Sequence, residues 1–266
     1  MRENGLPNFP SAERAMRVIA HMAEYEEYKQ RRGSFEVKRA SPKSELKSVL
    51  LEHEAMELLK ENGIAVPEFR FAEKRESAVQ AAKAIGYPVV MKVVSPEILH
   101  KSDVGGVKLG IADDGAAGDA FGALEEAAKD KSFKGVFIRP MFNGGKEVIL
   151  GLTVDEQFGP VVAFGMGGIY TEIMRDVALS IAPVNEAGAM EMIKKVKVYK
   201  ILEGARGDKG VDIEALAKMI AAFSQLPFLY PNIKEADLNP VFVFPDGAYV
   251  GDVRIITEVF YGENRI

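Results

Sequence analysis

The chain has 266 residues, of which 47% are apolar and 27% charged, with a formal net charge of −5. No apolar run approaches the roughly 18 residues of a membrane helix, and the first residues lack the apolar core of a secretory signal, so a globular cytoplasmic protein is expected, with no membrane contact. The absence of cysteine excludes disulfides, thiolate nucleophiles and Cys-type zinc sites, and basic residues scattered among acidic ones give no nucleic-acid surface.

Along the chain, Ala12, Ala15, Met16, Ile19, Met22 and Ala23 recur at helical spacing after Pro10-Ser11 and before the basic stop at 29–33. Residues 33–42 are polar and aperiodic, which divides the chain into an N-terminal helix with linker at 1–42 and a main domain at 43–266. A second helix is expected from Ser44, carrying Leu46, Val49, Leu50, Met56, Leu58 and Leu59, with a stop at Asn62-Gly63. Short strands then alternate with helices: strands at 68–72, 88–94, 106–111, 135–139, 148–153 and 161–164, helices at 76–85 and 116–129. A helix capped by Asn185, a glycine-containing loop at 203–210 and a helix over 212–225 follow. The chain closes on a hairpin in which 238–244 and 248–254 flank Pro245-Asp246-Gly247. The pattern is α/β or α+β with two sheets.

Several stretches carry candidate chemistry. Lys92 interrupts the apolar strand PVVMKVV, and a buried ammonium needs an anionic partner, so Lys92 is a candidate phosphate ligand; the alternative is a lysine that snorkels from the strand end. Next comes the loop SPEILHKSDVGGVKLG, in which Gly105-Gly106 lets backbone amides approach an anion and leads into a strand bearing Lys108. A Walker-type loop opens into a helix, so this segment reads instead as a hairpin flap over a triphosphate, or as a plain turn. His100 lies in that flap, as a phosphate acceptor, a general base or simply an exposed histidine.

The hairpin FIRPMFNGGKEVILGLTVD offers backbone groups to a purine and Glu147 to a ribose, or is purely structural. Glu172 and Asp176 would share a helical face, to position a loop or a cation or, more simply, as a solvated acidic face, and Arg206 would meet an anion or sit in a surface turn. In the closing hairpin, Asp237, Asn239 and Asp252 put oxygen ligands on adjacent strands, with 237 and 239 on one face, which suits Mg²⁺.

Taken in order, VVMKVVSPEILHKSDVGGVKLG, FIRPMFNGGKEVILGLTVDEQFGPVVAFGMGG, LEGARG and DLNPVFVFPDGAYVGDVRI closely resemble the ATP-grasp subunit of NDP-forming acyl-CoA synthetases, and more distantly the β-subunit of succinyl-CoA synthetase. The match runs from about residue 43 to 258, and the helix before it looks like the one that links the CoA-ligase portion to the ATP-grasp portion in fused members, which suggests a separately encoded subunit.

The resemblance implies an ATP-grasp fold whose small lobe is inserted within 66–139, the cofactors ATP/ADP and Mg²⁺, and a CoA-binding α-type partner subunit. The implied reaction is acyl-CoA + ADP + phosphate to acid + CoA + ATP, reversible and relayed through a phosphohistidine on the partner. By position, Lys92 matches the lysine that contacts the phosphates. Arg139 to Met141 match the adenine hinge with Glu147 nearby, and Asn239 and Asp252 match the Mg²⁺ ligands. Asp237 stands where relatives more often have a Glu supporting the phosphohistidine. His100 falls in the segment implicated in handing over the phosphoryl group. Rival expectations are an ATP-grasp ligase that traps an acyl phosphate with an amine, and a regulatory subunit without turnover.

Overall fold

A computed structural model describes residues 9–32, 37–98, 101–167, 176–197, 199–204 and 209–258. Helix α1 (Ala12–Arg32) belongs to a separate unit that ends at Lys38. Ser11 caps it, its hydroxyl accepting from the Arg14 amide at 3.3 Å, and Met16, Ile19 and Met22 are exposed at a spacing of three residues.

The second unit, residues 39–266, holds both sheets. Its first helix, α2 (Glu52–Glu61), is entered from Leu51, whose amide donates to Glu54 at 2.8 Å, and leaves through Asn62 into Gly63 at φ +76. Next come β1 (Arg70–Ala72), α3 (Arg75–Ile85), β2 (Val89–Val94), β3 (Val107–Ile111), α4 (Asp114–Ala127) and β4 (Gly135–Pro140). These strands form one antiparallel sheet in the order β1-β4-β2-β3.

Strand period explains how this sheet is covered. Val89, Met91 and Val93 point to α3 and α4, where Ala78, Ala82, Phe121 and Leu124 complete a small core. Lys92 and Val94 therefore point the other way. Asp113 starts α4 by accepting from the Ala116 amide at 2.8 Å.

The larger sheet is built from β5 (Lys146–Asp155), β6 (Gly159–Met166), β7 (Val177–Ile181), β8 (Ile233–Phe244), β9 (Gly247–Val250) and β10 (Val253–Thr257). Its order is β10-β8-β5-β6-β7, with β9 paired to β8. Helices α5 (Glu186–Lys195), α6 (Tyr199–Glu203), α7 (Ile213–Ser224) and α8 (Leu226–Leu229) lie between β7 and β8 in sequence. Val148, Leu150 and Leu152 of β5 join Met192, Ile193, Ile220 and Phe223 in the large core. Asn185 and Asp212 cap α5 and α7 through the Gly188 and Ala215 amides, both at 2.8 Å. The opposite face of this sheet carries Asp237 and Asn239.

Three expectations are corrected. The helix expected from Ser44 begins only at Glu52. Residues 46–49 are held out of a helix because Asn232 bonds both the amide and the carbonyl of Leu46, Thr257 bonds the carbonyls of Lys47 and Ser48, and Val49 bridges to Ile256. Tertiary bonds here override a helix-like spacing of Leu46, Val49 and Leu50. The last strand of the closing hairpin is interrupted at Gly251-Asp252, opposite Pro240, which has no amide to give the ladder. Strand β7 had not been expected. Its large residues Val177, Leu179 and Ile181 are exposed, so its apolar alternation faces away from the core.

Candidate nucleotide and metal site

Lys92 and Glu52 meet in the interior. Glu52 is the first residue of α2, where a carboxylate is favoured by the helix dipole, and Lys92 projects from the middle of β2. The Lys92 ammonium donates to Glu52 Oε1, the Gly251 carbonyl and Asp252 Oδ2, all at 2.8 Å. Three donors meet three acceptors, which is how a lysine only 3% exposed is tolerated. Gly251 is required at this bend, because a Cβ there would lie 2.5 Å from the Phe242 ring and 2.9 Å from the Pro240 carbonyl.

A second ammonium closes the cluster. Lys101 Nζ lies 3.0 Å from Glu52 Oε2 and 3.1 Å from Asp252 Oδ1. The contact with Glu52 is an ion pair without the alignment of a hydrogen bond. Burial pushes the Asp252 carboxyl up, but Lys92 and Lys101 outweigh it and hold Asp252 below the usual carboxylate range. Burial lowers the Lys101 pKa, and Glu52 and Asp252 more than reverse that, so Lys101 stays charged.

The cluster forms one wall of a cavity of about 570 Å³ between the two sheets. Glu52, Lys101 and Asp252 line it together with Asp237, Asn239 and Arg254, whereas Lys92 lies behind them. Asn239 sits across the strand pair from Asp252, its amide donating to the Asp252 carbonyl at 3.2 Å. Asp237 faces Arg254 across β8 and β10. Its pKa is raised, first by burial and then by Glu235, with Arg254 opposing. Among the described residues the lining offers hard oxygen donors without sulfur or imidazole, which fits a magnesium ion that also leans on substrate phosphates. Among the described residues there is no group of three or more His, Cys, Asp or Glu side chains arranged to hold a metal alone.

The expected adenine hinge lies at the end of β4. The Arg139 guanidinium, 5% exposed, stacks over Phe142 and Phe242 at 5.1 and 5.7 Å and donates to the Pro140 carbonyl at 2.8 Å. Its buried Nε has no hydrogen-bond partner. Burial pulls its pKa down, against the charges of Glu52 and Asp252. The Met141 amide is committed to the Pro88 carbonyl at 3.0 Å. Glu147 is exposed and faces Phe242 across β5 and β8, so it shares a face with the ring on which Arg139 stacks.

The flap is a hairpin connection, as β2 pairs antiparallel with β3. Its glycine amides are used within the loop: Gly105 donates to Ser102 at 3.1 Å and Gly106 to Lys101 at 2.7 Å. Lys108 sits opposite Met91, on the helix-covered face, while Val107 sits opposite Lys92 and lines the cavity. His100, Glu172 and Arg206 lie outside the described residues. Glu52 and Lys101 were not singled out by sequence reasoning. The only signal for them was a carboxylate near a helix start and a second lysine in the loop after β2.

Residues 42–257 match the family model for an ATP-grasp domain. The β subunit of acetate–CoA ligase [ADP-forming] I from Pyrococcus furiosus is 49% identical over 211 residues, 78% of this chain and 91% of that protein. The 4-hydroxybutyrate–CoA ligase [ADP-forming] of Nitrosopumilus maritimus is 41% identical over 272 residues, 96% of this chain but 39% of the ligase. The chain thus spans about two fifths of that longer relative and most of the β subunit. Among solved structures, Ca. Korarchaeum cryptofilum dinucleotide forming acetyl-coenzyme A synthetase 1, in complex with coenzyme A, Ca-AMPCP and HgCl⁺, superposes with a TM-score of 0.77 at 41% identity, over 80% of this chain and 94% of that one. The fold and the family match define an ATP-grasp protein. The chain belongs to the ATP-grasp family of the ADP-forming acid–CoA ligases.

Proposed function

We propose that this chain carries out the nucleotide half of a reversible acid–CoA ligase reaction, acyl-CoA + ADP + phosphate to acid + CoA + ATP, together with a CoA-binding partner subunit that supplies a phosphohistidine. The observation that carries this reading is the cavity between the two sheets, whose wall combines Glu52, Lys101 and Asp252 with Asn239 and Asp237. Phosphoryl transfer asks a protein mainly for positioning and charge neutralisation, and this wall is built from fixed charges.

Asn239 and Asp252 would hold Mg²⁺, which supplies charge neutralisation for the phosphates when bound. Lys92 fixes Asp252 from behind, through the 2.8 Å bond, so that the carboxylate faces the cavity. A direct contact between Lys92 and a phosphate requires one of its three present bonds to be exchanged. The Phe142–Phe242 pair, with Arg139 stacked on it, would form the floor of the adenine end, and Glu147 would meet a ribose hydroxyl. Asp237, with its raised pKa, would accept a hydrogen bond from, or share a proton with, the incoming phosphohistidine ring. His100 is assigned the hand-over of the phosphoryl group on the strength of the sequence resemblance.

In the complete complex, His100→Ala is expected to keep Mg-ADP affinity within about threefold, while nucleotide-dependent turnover falls at least about 100-fold. Calorimetry and an ATP-formation assay read the two quantities separately. Full turnover by the variant would remove His100 from the mechanism.

A further inference from the structure

The two ammoniums of the cluster are not equivalent. Lys92 is 4% exposed at its side chain, lies behind the cavity wall and makes three bonds of 2.8 Å. Lys101 is 16% exposed, lines the cavity and makes longer contacts of 3.0, 3.1 and 3.5 Å, with no aligned hydrogen bond to Glu52. Lys92 is a fixed part of the framework, whereas Lys101 closes the cluster from its solvent side.

Lys101 is also held in place by its own backbone. Its carbonyl accepts the Gly106 amide at 2.7 Å, and Gly106 has no room for a Cβ, which would fall 2.6 Å from Val93 Cγ1 and 2.8 Å from that carbonyl. The loop is thereby tied to β2 at the point where the ammonium reaches both carboxylates.

Charge balance gives this arrangement a meaning. Glu52 and Asp252 are matched by Lys92 and Lys101, so the cluster is neutral as it stands. An ammonium 3.1 Å from Asp252 Oδ1, an oxygen that also accepts the Val253 amide at 2.8 Å, competes with a divalent cation for that atom. With Lys101 gone the two carboxylates would lose one of their counter-charges, and Asp252 Oδ1 would keep only the Val253 amide at 2.8 Å, which leaves it room for a cation.

We propose that Lys101 is a built-in counter-cation that covers Asp252 Oδ1 from the cavity side and is exchanged there for the divalent ion when metal and nucleotide load together. The proposal rests on the reading of Asp252 as a metal ligand. It makes Lys101 a positioning residue that orients Asp252 in the metal-free protein and makes metal binding depend on nucleotide. The added phosphates supply the negative charge that draws the cation in and releases the ammonium.

The test is Mn²⁺ binding, followed by the paramagnetic resonance of the free ion, to the full chain with and without ADP. Without ADP, K101M is expected to bind Mn²⁺ about tenfold or more tightly than the wild type, because a like charge has left the site. K101R, which keeps the charge, should stay within about threefold of the wild type. Glu52→Gln combined with K101M restores neutrality and should abolish the gain. K101Q, whose amide can still donate to Glu52, gives the same reading should K101M fold poorly. K131M, a change of an exposed lysine, controls for loss of general positive charge and should leave Mn²⁺ binding at the wild-type level.

Unchanged or weaker Mn²⁺ binding by K101M and K101Q would overturn the exchange, even where Asp252→Asn abolishes nucleotide-supported Mn²⁺ binding and so upholds the metal reading. Mn²⁺ binding that survives Asp252→Asn in every background would overturn the metal reading and the exchange together.

Discussion

Lys92→Met is expected to lower the unfolding free energy by about 3–5 kcal/mol, the range for removing one partner of a buried ion pair. The cause is the charge left behind rather than the bonds lost. Glu52, 2% exposed at its side chain, would keep only the unaligned contact to Lys101, while the Gly251 carbonyl and Asp252 Oδ2 would each lose a donor. Methionine fills nearly the same volume, so packing on β2 is conserved and the loss is electrostatic. Adding Glu52→Gln should recover a substantial part of the loss, because an amide needs no counter-charge in that interior. Urea denaturation of the two single variants and the double variant gives the coupling. If Lys92→Met costs under about 1 kcal/mol, the cluster is not the internal support described here.

Asp252→Asn should weaken Mg-ADP binding by about 100-fold or more while leaving ADP measured in EDTA within about threefold, since only two protein oxygen ligands serve the metal and one loses its charge. The variant also leaves Lys92 and Lys101 to share Glu52, so the wall becomes net positive and repels the cation further. Titration calorimetry with and without the metal separates this from a general loss of nucleotide affinity. Equal losses in both titrations would place Asp252 in the fold rather than at the metal.

Much of this molecule is visible in its sequence. A lysine inside an otherwise apolar strand demanded an anionic partner, and the structure supplies two carboxylates. The period of two placed Asp237 and Asn239 on one face, and the caps at Asn185 and Asp212 mark true helix starts. Other features depend on contacts between distant parts of the chain. Lys92 and Asp252 are 160 residues apart, and nothing local to Glu52 says that its side chain turns inward to meet them. The run at 46–49 has helical spacing and is held out of a helix only by Asn232 and Thr257. Strand β7 escaped because its apolar residues lie on the uncovered face, which reverses the usual sign of the pattern.

The expectation of a CoA-binding partner rested on the order of the motifs alone.

The most direct measurement is ATP formation by the chain mixed with its CoA-binding subunit, Mg-ADP, phosphate and a panel of acyl-CoA thioesters. ATP is predicted to appear only when both proteins, the thioester and phosphate are present. Its absence for every thioester, from a mixture in which Mg-ADP demonstrably binds, would contradict the assignment of a catalytic nucleotide half.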